Sequence, residues 1–287
     1  MNTQFVSSND GTKIAYETRG NGPPLVFVWG ALGSRGLPFA ARMREELARS
    51  FTVYDYDRRG RGESGDVGLY AVEREIDDLR AVCETAGGLP FVCGTSSGAA
   101  LALEAAAAGV PMRMLAAHEP PYAVGAHAAS FDRDYEQHVT RLVRLDQRSE
   151  AVKYFMRAVG VPTPVIWVMR LMPLWRSMVH AAHTLPYDAA VMRGFHLPEQ
   201  RFRDIRVPTL VLVGGSTPAR LRAAADEVTR VIPDARERVI PRQNHGIKPA
   251  ALRPVLDEEF AAATRTAPRS DSRSQPWVEP RTSGPHA

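Results

Sequence analysis

The sequence predicts an α/β fold: a mostly parallel central sheet with helices on both faces and a helical segment inserted after the sixth strand. Three observations carry this. Short apolar runs and amphipathic stretches alternate up to about residue 120, as the strands and crossover helices of a parallel sheet do. The rhythm breaks between Pro121 and Arg203, where helical patterns and scattered prolines hold no convincing strand. It resumes with "PTLVLVGG", an apolar run bounded by Pro208 and two glycines.

The elements follow in order. "QFVSS" and "KIAYETRG" flank Asn9-Asp10-Gly11, a hairpin turn signal. "PPLVFVWG" is apolar throughout and stops at Gly30, as a strand buried on both faces does. "FAARMREELARS" has helical spacing, and "FTVYDYD" is a strand ending in the Gly/Arg turn "RRGRGESG". "YAVEREIDDLRAVCETAG" places Val72, Ile76, Leu79, Val82 and Cys83 on one helical face. "LPFVCG", "AALALEAAAAG" and "MRMLAAHEP" read as strand, helix and strand. After the insertion come the helix "RLRAAADEVTRVI", the strand "ARERVIP" and the helix "ALRPVLDEEFAAAT". Residues 1–121 and 203–266 therefore form the expected core and 122–202 a helical cap. Residues 267–287 have the composition of a disordered tail.

Composition excludes several classes. The net charge is +4, nearly all the cations are arginines scattered among acids, and no run of five or six like charges appears, so no nucleic-acid partner is expected. The most apolar segment, "VGVPTPVIWVMRLMPLW", is broken by three prolines and Arg170, so no membrane span is expected. With no apolar stretch at the N-terminus and only Cys83 and Cys93 as thiols, the expectation is a cytoplasmic protein with buried free cysteines. His180 and His183 are one helical turn apart, but no carboxylate or cysteine shares their spacing. No metal or organic cofactor is expected.

Gly94-Thr95-Ser96-Ser97-Gly98 fits G-x-S-x-G and lies between an apolar strand and a helix. In that setting Ser96 sits on a sharp turn, the glycines admit close backbone approach, and the helix N-terminus faces any developing anion. Ser96 is the candidate nucleophile and Ser97 a backbone N–H donor. The alternative is a serine that only caps the helix. His245, in the loop "RQNHGIKP" after the last strand, is the candidate base, against the commoner solvated loop histidine.

Together with "VFVWGALGS", "DYDRRGRGESG" and "PTLVLVGG", these motifs make the chain resemble the α/β-hydrolase family over about residues 1–265. The resemblance implies an oxyanion hole that uses the backbone N–H of Ala31, with Trp29 standing where a histidine is common and adding an apolar wall. It also implies an acid just after the penultimate strand. Here Gly214-Gly215-Ser216-Thr217-Pro218 holds none, and Asp226 and Glu227 lie in the following helix. Glu119, at the end of the strand after the nucleophile helix, keeps the order Ser–acid–His and is the candidate acid. Its other reading is a carboxylate that holds the Pro120-Pro121 entry to the cap. His118, Trp167, Met172 and Trp175 are the remaining expected pocket residues.

The expected activity is that of a carboxylesterase-like serine hydrolase. Its partner would be a hydrophobic or aromatic small-molecule ester or thioester. Cofactor-free C–C hydrolysis, perhydrolysis or cyclisation in the same pocket is the rival reaction class, and a non-catalytic small-molecule receptor is the rival of another kind.

Overall fold

The structure is a computed structural model that describes residues 3–126 and 134–266. The expected tail, 267–287, and residues 127–133 of the expected cap lie outside the described residues. Eight strands form one sheet: β1 (Gln4–Ser7), β2 (Lys13–Arg19), β3 (Pro24–Val28), β4 (Thr52–Tyr56), β5 (Phe91–Thr95), β6 (Met114–His118), β7 (Thr209–Gly214) and β8 (Ala235–Ile240). Their spatial order is β1-β2-β4-β3-β5-β6-β7-β8. The β1–β2 hairpin and the β2–β4 pair are antiparallel; every other pair is parallel. The order reverses between β3 and β5, and ligands of open α/β sheets bind outside the strand ends at such a point.

The first half adds the helices α1 (Pro38–Leu47), α2 (Val72–Thr85) and α3 (Ser97–Ala107). Among the described residues, six α-helices stand between β6 and β7: α4 (Tyr135–Arg144), α5 (Arg148–Ala158), α6 (Thr163–Met169), α7 (Pro173–Ala181), α8 (Leu185–Val191) and α9 (Glu199–Phe202). The helices α10 (Ala219–Val231) and α11 (Pro249–Thr266) follow.

Side-chain alternation divides the core into two layers. Leu25 and Phe27 of β3 join α1 and α11 through Leu47, Leu256 and Phe260, while Val26 and Val28 face α2, α3 and α10. The second layer continues without a break into the insertion through Tyr135, Val139 and Leu185. α3 is apolar nearly all round because it is buried nearly all round. Its one charge, Glu104, is fully buried and paired with Arg193 and Arg201 of the insertion, at 2.7 and 3.0 Å. Among the described residues no helix is long and apolar enough to cross a membrane.

Candidate active site

β5 runs into α3 through a single residue. Ser96 holds φ 55° and ψ −126°, backbone space that a residue with a side chain rarely occupies. The glycines on either side make the turn possible. A Cβ on Gly98 would collide with the carbonyl oxygens of Val28 and Trp29, and one on Gly94 with that of Gly98. The Ser96 N–H donates to the His118 carbonyl at 2.9 Å, which ties the apex to β6. The Ser96 hydroxyl makes no capping bond to α3, so the side chain is not engaged as a helix cap. It lines a cleft instead.

The loop after β3 lies against this turn. The Gly30 carbonyl accepts from the Gly33 N–H at 3.1 Å, and Leu32 takes φ 60°. The N–H groups of Ala31 and Ser97 make no backbone hydrogen bond among the described residues. Both residues border the cleft beside Ser96. Two free donors there can stabilise an anion forming next to the serine.

A buried ionic network lies beneath both donors. Arg61 Nη1 donates to the Gly30 carbonyl at 2.8 Å, and Arg58 Nη1 to the Trp29 carbonyl at 3.2 Å. A carbonyl and the following N–H share one rigid plane and point opposite ways. Holding the Gly30 carbonyl therefore aims the Ala31 N–H. Both arginines converge on Asp188 of α8: Arg58 at 2.8 Å, and Arg61 at 2.8 Å to each carboxylate oxygen. Asp188 also accepts the Ser97 hydroxyl at 2.7 Å. Glu75 of α2 holds Arg58 Nε at 2.6 Å. Burial opposes the charge on Asp188, yet Arg61 and Arg58 keep its carboxyl below the usual carboxylate range. Sequence reasoning missed Asp188, Arg58, Arg61 and Glu75. The arginine-rich turn was a signal for the first half of the network, and nothing in the sequence marked Asp188.

Glu119 follows β6 at φ 48° and is fully buried. Its Oε2 lies 2.7 Å from Nδ1 of His245. Its Oε1 accepts the Gly214 N–H at 2.9 Å and the Thr217 hydroxyl. The segment that has no acid of its own thus supplies donors to the acid of the neighbouring strand. Burial alone would raise the Glu119 carboxyl; the His245 ring, His118, Thr217 and the Gly214 N–H outweigh it and hold it at about 2. An ionised Glu119 draws the proton of neutral His245 to Nδ1 and leaves Nε2 free to act as a base. Asp226 and Glu227 are engaged elsewhere, with Glu237 and Arg230 respectively.

Two cavities of about 540 and 230 Å³ share Ala31, Ser96, Phe155, Val159 and His245 in their walls. They are two limbs of one cleft that meet at Ser96. Trp29 lines the larger limb, its indole N–H anchored on Asp55 at 2.7 Å and its ring against Phe39. Tyr135, Met192, Phe195 and Leu221 line the smaller. Four expected pocket residues stand elsewhere and line neither limb. His118 is sealed behind Glu119, its ring 6.0 Å from that of His245, and burial pushes it down to about 4. Trp167 is 62% exposed and lies against Arg170, and Met172 is 50% exposed. Trp175 is buried within the core of the insertion. The short helices α6 and α7 direct these side chains outward or into their own packing, and the insertion reaches the cleft through α4, α5 and the residues around Phe195.

Residues 25–263 match the Alpha/beta hydrolase family, and the chain belongs to it. An alpha/beta hydrolase from Sphaerobacter thermophilus DSM 20745 is similar at a TM-score of 0.83 and 48% identity, over 90% of this chain and 100% of that one. A thermophilic esterase from Thermogutta terrifontis (malate bound) shares the fold at a TM-score of 0.66 and 22% identity, over 92% and 98% of the two chains. In sequence, 98 residues are 34% identical to the uncharacterized hydrolase YraK of Bacillus subtilis (strain 168), or 33% of this chain and 35% of that protein. The match thus spans about a third of that curated relative's length.

Proposed function

We propose that the protein is a serine hydrolase that cleaves a carboxylic ester or thioester of a largely apolar small molecule. The observation that carries this is the 2.7 Å contact between Glu119 and Nδ1 of His245, whose ring borders the same cleft as the strained Ser96. In this reading Ser96 Oγ attacks the carbonyl carbon and His245 Nε2 takes its proton. Glu119 remains ionised and steadies the imidazolium. The N–H groups of Ala31 and Ser97 receive the oxyanion. The leaving alcohol or thiol takes the proton from His245, and water, activated by the same nitrogen, releases the acyl group. The helical insertion acts as a cap whose Tyr135, Phe155 and Phe195 form an apolar wall over the serine.

A stoichiometric neutral fluorophosphonate, read by intact mass and peptide mapping, tests the assignment. One adduct is expected, on Ser96, and Ser96→Ala should remove it while the melting temperature holds. An adduct on Ser97, or none, overturns the reading.

A further inference from the structure

Every charged side chain in the walls of the cleft is cationic: Arg42 and Lys248 in the larger limb, Arg157 and Arg220 in the smaller. The chain as a whole has 36 Lys and Arg against 32 Asp and Glu, so composition alone does not produce an acid-free cleft. Most arginines near this face are neutralised. Arg44 meets Asp55 at 2.6 Å, and Arg35 meets Glu17 and Asp57 at 3.0 Å each. Arg42 and Lys248 differ, for neither side chain has a hydrogen-bond or ion-pair partner among the described residues.

Both side chains are exposed, but their backbone anchors are fixed by the fold. Arg42 stands on α1, and Lys248 lies three residues past His245, just before α11. The two helices are held to the same sheet face by Leu47, Leu252 and Leu256. The two cations also border one adjoining surface groove together, where Glu45 and Glu46 are already paired with Arg19 and with Arg49 and Arg253. Trp29, Phe39 and Met43 line the same limb, so the cations and Ser96 share a cleft with much apolar wall. The smaller limb holds no such pair: Arg220 already donates to the Val159 carbonyl at 2.9 Å, which leaves Arg157 as the one cation there without a side-chain partner among the described residues.

Building on the hydrolase reading above, we infer that the substrate carries an anionic group on the portion held in the larger limb, with an apolar spacer between that group and the scissile carbonyl. Arg42 and Lys248 bind the anion and are specificity residues. They take no part in the bond-breaking step. Each acts across water-filled space, so one such charge at about 4 Å is worth roughly fivefold in kcat/KM. That gain shrinks as salt rises.

Two matched pairs of aryl esters test this, each pair an ω-carboxylate and its uncharged primary amide. One pair carries the group on the acyl side and the other on the alcohol side. In the parent the carboxylate should exceed its amide in kcat/KM by roughly tenfold or more in one of the pairs at low ionic strength. The ratio should fall roughly fivefold in Arg42→Gln and in Lys248→Gln, and approach one in the double variant. Using the ratio cancels changes in the shared chemistry. A parent without preference in either pair, or a preference that survives both substitutions, overturns the inference.

The same comparison with a neutral and a carboxylate-bearing fluorophosphonate separates the two levels of the argument. If the neutral reagent labels Ser96 and the anionic one is no faster, with no preference among the esters, the anion site fails and the hydrolase reading stands. If the neutral reagent leaves Ser96 untouched, the hydrolase reading fails and the anion site falls with it.

Discussion

Asp188→Asn preserves the shape of a fully buried side chain and removes the charge on which two buried arginines converge. Arg58 keeps the carboxylate of Glu75 at 2.6 Å, but Arg61 is left with neutral acceptors: the Thr184 hydroxyl at 3.1 Å, the Gly30 carbonyl at 2.8 Å and the one amide oxygen of Asn. One guanidinium is then buried without a counter-charge, a change that costs about 3–5 kcal/mol. In a domain of this size each kcal/mol moves the melting temperature by about 2–4 °C, so a fall of about 6–20 °C is expected. Turnover should fall as well, because the same carboxylate fixes the Ser97 hydroxyl and, through Arg61, the Gly30–Ala31 peptide. A lost oxyanion donor costs about 10²–10³ in kcat, and a misaimed one less, so a drop of about tenfold to a hundredfold with little change in KM is the expectation.

Calorimetry and steady-state kinetics on Asp188→Asn, beside the double variant Asp188→Leu with Arg61→Met, separate folding from positioning. The double variant is charge-balanced, with Arg58 and Glu75 still paired, and should regain much of the stability without regaining turnover. A melting temperature within about 3 °C of the parent for Asp188→Asn would refute the stability argument. Turnover that returns with stability in the double variant would refute the positioning argument. The pH dependence has a definite sign. The Asp188 carboxyl is depressed in the folded chain, so its contribution is complete above the ordinary carboxylate pKa and fades as pH falls through the folded value. Parent and Asp188→Asn should therefore converge in stability toward acid.

Glu119→Gln should cost on the order of 10⁴ in turnover by imposing the wrong His245 tautomer, while Asp226→Asn, whose partner is Glu237, should cost little. Because Glu119 is held at about 2, it adds about 3 kcal/mol above pH 4.5, and that is lost as pH falls from 4.5 to 2; acid titration of the melting temperature of parent and variant checks this. Gly98→Ala sets a methyl against two backbone carbonyls that cannot swing away, so a loss of about 2 kcal/mol or more in denaturant unfolding is expected. Burial raises the thiols of Cys83 and Cys93 to about 12, so the native chain should resist a thiolate-directed reagent at pH 8 and react only on unfolding.

Legibility of the sequence followed the range of the interaction involved. The turn at Ser96 could be read because its requirements are local: a strand, glycines where backbones touch, and a helix, all within a few residues. Glu119 could be located from strand order, because the end of β6 is adjacent to the end of β5. Its clamp was visible only as the missing acid in Gly214–Pro218, since a glycine N–H and a threonine hydroxyl carry no signature. The pocket wall was harder. α6 has seven residues, too few turns for periodicity to say which face looks inward, and so Trp167 was misplaced. Asp188 was hidden for a different reason. Its partners Arg58 and Arg61 lie 130 and 127 residues away in the chain, and a carboxylate in a helical segment otherwise reads as solvated surface.

Strain at the sheet edge connects these observations. Leu32, Ser96 and Glu119 follow β3, β5 and β6, which are neighbours in the sheet, and all three hold positive φ without being glycine. Each such residue costs of order 1–3 kcal/mol and persists only if its surroundings fix it. The fixing bonds can be named: Gly33 N–H to the Gly30 carbonyl, Ser96 N–H to the His118 carbonyl, and Glu119 N–H to the Leu212 carbonyl. Two of these three run from one strand end to the next. The loop after β3, Ser96 and Glu119 are therefore held by the sheet that carries them, and Asp188 and Thr184 tie Arg58 and Arg61 beneath them to the insertion. A substitution in the β5–β6–β7 core that shifts these strands should thus impair the site even where it touches no residue of the cleft.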